Sequence, residues 1–350
     1  LGIELNLATA GCLDVRGGTS IVRGLVINRS PTYGICLATL GDNAVTGNFI
    51  GTNPAGTAAG PGNENGIAVV SDDNRVGGNV PAERNLISGN VNTGVQIGNG
   101  TANAPATNNG RFAVLEGNLI GTNAAGTAAI PTQATGVAIL MDSASFSGRQ
   151  AQIGGDAASE RNVISGHSQD GVLIFGGSLL GPGDNDVEGN YIGTDVTGTV
   201  AVPNRDGIGV TGFNGGNFIT SNLISGNTGP GLVLGTNDNT ATLNRVGTDG
   251  SGTTALPNGG VGMQVDVGDN NLLRDNVVAF NLSVGVLVGP DPSTLGALVS
   301  RNSIHSNSLA GIDLSPGANS NQTVPVITSA AIATGMLTVS GSLNSVASSN

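Results

Sequence analysis

Ten times in this chain a glycine is followed by an aliphatic residue, any residue, and a second aliphatic. The first copy is Gly34-Ile35-Cys36-Leu37 and the last is Gly311-Ile312-Asp313-Leu314. Between them the motif begins at Gly66, Gly94, Gly136, Gly171, Gly207, Gly231, Gly262 and Gly285, at spacings of 23 to 42 residues. A unit this short cannot bury its own apolar face, so it must stack on copies of itself. The recurrence therefore predicts the rungs of a coiled solenoid.

Two further motifs fill the intervals. One is Asn-Φ-Ile-Ser-Gly-Asn, as in Asn85 to Asn90 and Asn162 to His167, returning at Asn222 to Asn227, Asn276 to Asn281 and Asn302 to Asn307. The other is Val-x-Gly-Asn-x-Ile-Gly, seen at Val45 to Gly51, Leu115 to Gly121 and Val187 to Gly193, with a degenerate copy ending at Gly247. Strand types in fixed order predict a coil with three faces. Four copies of the last type run into a cassette, Gly-Thr-x-x-x-Gly-Thr-x-Ala-x-Pro, over Gly51 to Pro61, Gly121 to Pro131, Gly193 to Pro203 and Gly247 to Pro257. These read as excursions from one edge of the coil.

The 59 glycines and 40 asparagines suit many tight turns, since both tolerate positive φ. Aromatic content is 3%, with no Trp, so the core is aliphatic. Leucine-rich repeats need a leucine skeleton, helical repeats need helix formers, and hexapeptide helices need a strict six-residue period; none is present. What remains is an all-β fold: a right-handed parallel β-helix solenoid of about eleven coils, counting Cys12 to Val15 as a rung. At about 4.8 Å per coil it would be about 50 Å long. The helix is expected over 1–318. From Gly317 the pattern stops, and 319–350, including Thr323-Val324-Pro325-Val326-Ile327-Thr328, reads as a linker and the truncated start of a β-rich, sandwich-like domain.

The cassette and the Asn-Φ-Ile-Ser-Gly-Asn strand resemble the parallel β-helix repeats of large secreted bacterial proteins, which share the pectate-lyase-like superfold. That resemblance covers about residues 1 to 318. It implies an extracellular or bacterial cell-surface location. Lyases, epimerases, autotransporter passengers and non-catalytic rods all use such repeats, so the activity is left open.

In a strand, residues i and i+2 share a face. Both aliphatics of Gly-Φ-x-Φ are thus expected to point inward, and Gly and x outward. The x column reads Cys36, Ala68, Gln96, Ala138, Leu173, Gly209, Val233, Gln264, Leu287 and Asp313. A polysaccharide lyase needs a base and groups that neutralise a uronate, and a hydrolase needs a carboxylate pair. This column holds one carboxylate and no cation, so no catalytic, cofactor-binding or metal residue is assigned. Its small apolar surface is expected to be covered by the cassettes or by another protein.

Other residues have structural explanations. His167 occupies the corner slot filled elsewhere by Asn90, Asn227, Asn281 and Asn307, and reads as a substitute in an asparagine ladder. His305 aligns with Ser88, Ser165, Ser225 and Ala279, read as an outward variable position. Arg84 and Arg161 recur in Glu-Arg-Asn corners, suggesting loop orientation or a surface ion pair. Glu116 and Glu188 read as solvated. Asp72-Asp73, Asp184-Asn185-Asp186 and Asp266 to Asp269 offer oxygens to Ca2+, but none follows a calcium-loop pattern. No cofactor is expected, with Ca2+ the one cation these stretches could take. Aligning Cys12 and Cys36 offsets them by about two positions, which leaves a disulfide open without favouring it.

Net charge is −12, and every basic residue is Arg. No basic patch is present, which argues against nucleic acid, and no apolar run is long enough for membrane insertion. The expected function is a non-catalytic structural, adhesive or surface-display segment of a large extracellular bacterial protein. Its partners would be itself, end to end or laterally, or a cell-surface or glycan ligand. The alternative is a carbohydrate-active enzyme, a polysaccharide lyase or epimerase with a loop-built site. An ice- or crystal-binding face would need a threonine ladder, and the x column has no Thr.

Overall fold

The computed structural model describes residues 3–98, 110–141, 148–177, 183–213, 215–323, 326–333 and 336–342. Within them the chain winds through three parallel sheets of eleven, eleven and ten strands, a right-handed parallel β-helix. Sheet I begins at Ile3–Asn6, sheet II at Leu13–Val15 and sheet III at Ile21–Arg23, and each strand pairs with the strand three places later in the chain.

The Gly-Φ-x-Φ motif forms sheet II, whose inward aliphatics stack in register: Ile35 pairs with Ile67, and Val137 with Val172. Sheets I and III each add one inward column, such as Ile50, Ile87, Ile120 and Val45, Val76, Leu115, all essentially inaccessible. Each such side chain contributes roughly 1.5–3 kcal/mol. The second and third sequence motifs are not separate faces. Both place their Φ-Ile pair in sheet I, as Leu86–Ile87 and Leu119–Ile120, which are direct neighbours. Sheet III enters the third motif only through its leading residue, Val45, Leu115 or Val187.

The glycine that opens each sheet II strand does not point outward. A Cβ on Gly136 would lie 2.5 Å from the carbonyl oxygen of Gly171 and from Ile164 Cγ2, and 2.9 Å from His167 Cε1. Glycine is required there because corner side chain, sheet I aliphatic and next coil converge on one point.

Corners are held by ladders of buried side chains. Between sheets III and I, nine asparagines from Asn48 to Asn302 are linked in series by Nδ2–Oδ1 bonds of 2.9–3.1 Å. Each also donates Nδ2 to a main-chain carbonyl, as Asn162 does to Leu115 at 2.7 Å. These bonds satisfy turn groups that burial would otherwise leave unpaired.

The cassettes leave sheet I from every second coil and fold back as tight hairpins, each closed by an antiparallel bridge such as Thr122–Ala129. They stack on one another: Ala124 N–H donates to Gly56 O, Val196 to Gly126 and Gly250 to Gly198, each at 2.8 Å. Gly56, Gly126 and Gly198 have φ of 66–70° and lie flat on the outward aliphatics of sheet I. Leu86, Leu119 and Val163 are thereby buried in a second small core with Phe49, Tyr191 and Val196. The cassettes thus cover sheet I, not the x column of sheet II. Ser88 and Ser165, read as outward, are buried; their hydroxyls donate to Thr122 O and Thr194 O at the base of the next coil's cassette, at 2.8 and 2.7 Å.

Cys12 and Cys36 form a disulfide between the first two coils, with Cα atoms 6.1 Å apart. Leu13 pairs with Ile35, so the two-position offset stands. The Cα separation of 6.1 Å is short enough for the side chains to close that gap. After a turn at Ala318–Asn321, Val326–Ala333 and Met336–Ser342 form an antiparallel hairpin in the stretch read as the start of a further domain. Val324 and Pro325 of that expectation lie outside the described residues.

Candidate functional site

The outer face of sheet II is more built than its x column alone indicates. Ala68, Gln96 and Ala138 are buried rather than open. The hydroxyl of Tyr33 donates to Gln96 Oε1 at 2.9 Å, two coils away, and burial raises the phenol's pKa. In six of the ten rungs the residue before the glycine opens the sheet II strand, which gives a column of Tyr33, Asn65, Thr93, Thr135, Asp170 and Asp206, and Tyr33 and Asp170 reach the x residues of the outer face.

Asp170 and Asp206 pair in register on adjacent parallel strands, so their backbones lie about 4.8 Å apart. Arg205 sits beside both, 3.0 Å from Asp206 and 3.8 Å from Asp170. Asp170 leans across the x column: a Cβ on Gly209 would approach its Oδ1 to 2.8 Å. Burial raises the Asp170 pKa, the Asp206 charge raises it further, and Arg205 opposes both. Two positions beyond Leu173 the ring of Phe175 stands 46% exposed, paired with Thr211. This face therefore carries a carboxyl pair and a cation that the x column did not contain. The signal was the two consecutive Asp-Gly steps, Asp170-Gly171 and Asp206-Gly207, one coil apart. A carboxyl pair with a neighbouring guanidinium and an exposed ring can accept hydroxyl hydrogens and pack an apolar sugar face. A raised carboxyl can also deliver a proton.

The other sequence candidates go elsewhere. His167 lies in the ladder between sheets I and II, with Nε2 3.1 Å from Gln133 Nε2 and Nδ1 2.8 Å from Asn204 Oδ1. His305 is exposed on sheet I, 3.1 Å from Ser306 Oγ and edge-on to Phe280. Arg84 and Arg161 make no ion pair with their neighbouring glutamates. Their Nε groups donate to Gly117 O and Gly189 O of the following coil, at 3.0 and 3.1 Å. Arg161 also lies 3.9 Å above the Tyr191 ring.

Glu116 and Glu188 are partly buried rather than solvated. Glu116 lies 3.3 Å from Arg75, whereas burial, a hydrogen bond with Asp156 and the Asp186 charge push Glu188 up to about 7. Of the acidic stretches, Asp72 is used by Arg111 at 2.7 Å and Asn185 by its own ladder. Asp266 accepts from Gln264 at 3.3 Å, and Asp269 from the Leu295 N–H at 2.8 Å. Among the described residues no three His, Cys, Asp or Glu side chains gather in a metal-binding group.

No family model matches this chain, and no curated protein matches it. Among solved structures it is similar to the Dettilon tailspike protein, with 13% identity and a TM-score of 0.48 over 96% of this chain and 67% of that one. It is also similar to PfbA, a surface adhesin of Streptococcus pneumoniae, with 12% identity and a TM-score of 0.42 over 96% of this chain and 88% of that one. The class of molecule is defined by its own stacked sheets: a parallel β-helix rod.

Proposed function

We propose that this chain is a non-catalytic structural and adhesive segment of a large extracellular bacterial protein, a rigid acidic rod that displays the outer face of sheet II to a glycan. The observation that carries this reading is the use of reactive side chains as mortar. His167 links two corner amides, Tyr33 bonds Gln96, and Arg84 and Arg161 hold carbonyls of the next coil. The Cys12–Cys36 disulfide agrees with an oxidising compartment. The similarity to a tailspike and an adhesin is in keeping with a surface setting and carries none of the argument.

One observation favours the second reading, a carbohydrate-active enzyme. Asp170 and Asp206 are in register, and a retaining hydrolase needs carboxyl groups about 5–5.5 Å apart. A single experiment separates the two. The protein is screened on a glycan array and on bacterial and host cells, and the bound glycans are then incubated with it and assayed for new reducing or unsaturated ends. Retention without turnover, weakened by Phe175→Ala and by Asp170→Asn, supports the adhesive rod. Turnover abolished by Asp206→Asn would establish the enzyme instead.

A further inference from the structure

We propose that the rod contains a proton-sensitive joint at the corner between sheets I and II, where an imidazole replaces an amide in an otherwise pH-indifferent ladder. Most links here are asparagine to asparagine: Asn63 Nδ2 donates to Asn90 Oδ1, and Asn204 to Asn227, each at 3.0 Å. An amide has the same donors and acceptors at every pH. An imidazole does not.

The ladder has a direction, and that direction determines the protons on His167. Asn204 commits its Nδ2 to Ile164 O and Asn227 Oδ1, both at 3.0 Å, so its oxygen must face the ring. That oxygen lies 2.8 Å from His167 Nδ1 and also accepts the His167 backbone N–H at 3.1 Å. Nδ1 therefore carries the hydrogen. On the other side, Gln133 Oε1 accepts from Asn90 Nδ2 at 3.2 Å, which leaves the Gln133 nitrogen 3.1 Å from His167 Nε2. Nε2 must then present its lone pair.

A second proton would set N–H against N–H. Rotating the Gln133 amide would only move the clash to Asn90, whose own Nδ2 is held by Ile50 O at 3.1 Å. The ring cannot turn aside, because it is 2% exposed and the backbones of Gly121 and Gly136 close on it. The groups that meet it are neutral: Gln133, Asn204 and those two glycines. The charged residues of the same corner, Arg205, Asp170 and Asp206, pair with one another at the surface. Burial lowers the His167 pKa from 6.5 to about 4, opposed only by the Asn204 bond.

The folded pKa lies below the unfolded one, so the joint is intact above about pH 6.5 and is lost progressively as pH falls toward 4. Protonation must pull the ring from the ladder and part the coils on either side. An acidic setting would thus loosen the rod at one internal point. This goes beyond the adhesive reading and does not depend on it.

The test is hydrogen exchange by mass spectrometry at pH 7 and pH 5, corrected for the intrinsic pH dependence, alongside NMR titration of the two imidazoles. Peptides spanning 119–122 and 163–167 should lose protection about 20-fold between pH 7 and pH 5, the ratio expected for a shift from 6.5 to about 4. Peptides around 276–281 should not change. The double variant Gln133→Asn/His167→Asn rebuilds a uniform ladder and should abolish the loss; His167→Gln is the second variant. The same loss in both variants overturns the joint. So does a wild-type His167 signal that titrates near pH 6.5 while protection stays intact, a result that needs no variant to fold.

Discussion

Asn118 directs two donors at a single oxygen of Asn162: its backbone N–H and its Nδ2 each lie 3.0 Å from Asn162 Oδ1. The same double contact repeats along the corner between sheets III and I. It sets coil height there as firmly as the strand ladders do, and it explains why asparagine recurs where a turn alone would accept many residues.

Replacing Asn118 with Ala should therefore cost about 2–4 kcal/mol, since the buried Asn85 backbone N–H and one of its Nδ2 hydrogens lose their acceptor. Asn92, exposed and bonded to Glu64, should tolerate Ala within about 0.5 kcal/mol. Denaturant melting of both variants checks the difference. Equal losses would mean that the ladder is not what holds the corner.

The glycine column offers a matched pair. Gly136→Ala forces a methyl to 2.5 Å from Gly171 O and Ile164 Cγ2, and should destabilise by about 1–3 kcal/mol. Gly311→Ala meets only Ile304 Cγ2, at an ordinary 3.5 Å, and should be near neutral. Thermal melting of the two variants reads the contrast directly.

Cys36→Ser removes a bridge closing a separation of 24 residues, worth about 3 kcal/mol. In a solenoid each coil touches only its neighbours, so the loss should stay local. Hydrogen exchange should rise in Ile3–Asn6 and Leu13–Val15 and stay level beyond the third coil.

Glu188 gives a pH dependence opposite in sign to that of His167. Its folded pKa is raised, from 4.5 to about 7. Its protonated form fits the fold at low pH, and the fit is lost as pH rises from about 4.5 through 7. Glu188→Gln should match wild type at pH 4 and melt higher than wild type at pH 8. Parallel melting curves at both pH values would show that the Asp156–Glu188 contact has no energetic role.

The solenoid was legible in Ile35, Leu37 and their counterparts, because a period of two with glycine punctuation leaves few alternatives to a stacked rung. His167 was legible as a ladder substitute from its alignment with Asn90 and Asn227. Asp170 and Asp206 were not legible as a pair, because they stand before the glycine, outside the motif that drew attention. Ser88 was misread as a variable open position, because nothing in its own coil reveals that a cassette from the next one covers and bonds it.

Local order along the chain determined the rung, its inward aliphatics, the number of coils and the need for asparagine at corners, since each depends on residues a few positions apart. The tertiary structure alone decided what covers each outer face. It set the cassettes on sheet I, joined Cys12 to Cys36, aimed the rung glycines into the corners, and brought Asp170, Asp206 and Arg205 together on sheet II. Those outcomes depend on coil-to-coil register, which links residues 22 to 47 positions apart, and register is settled only when all three sheets stack at once.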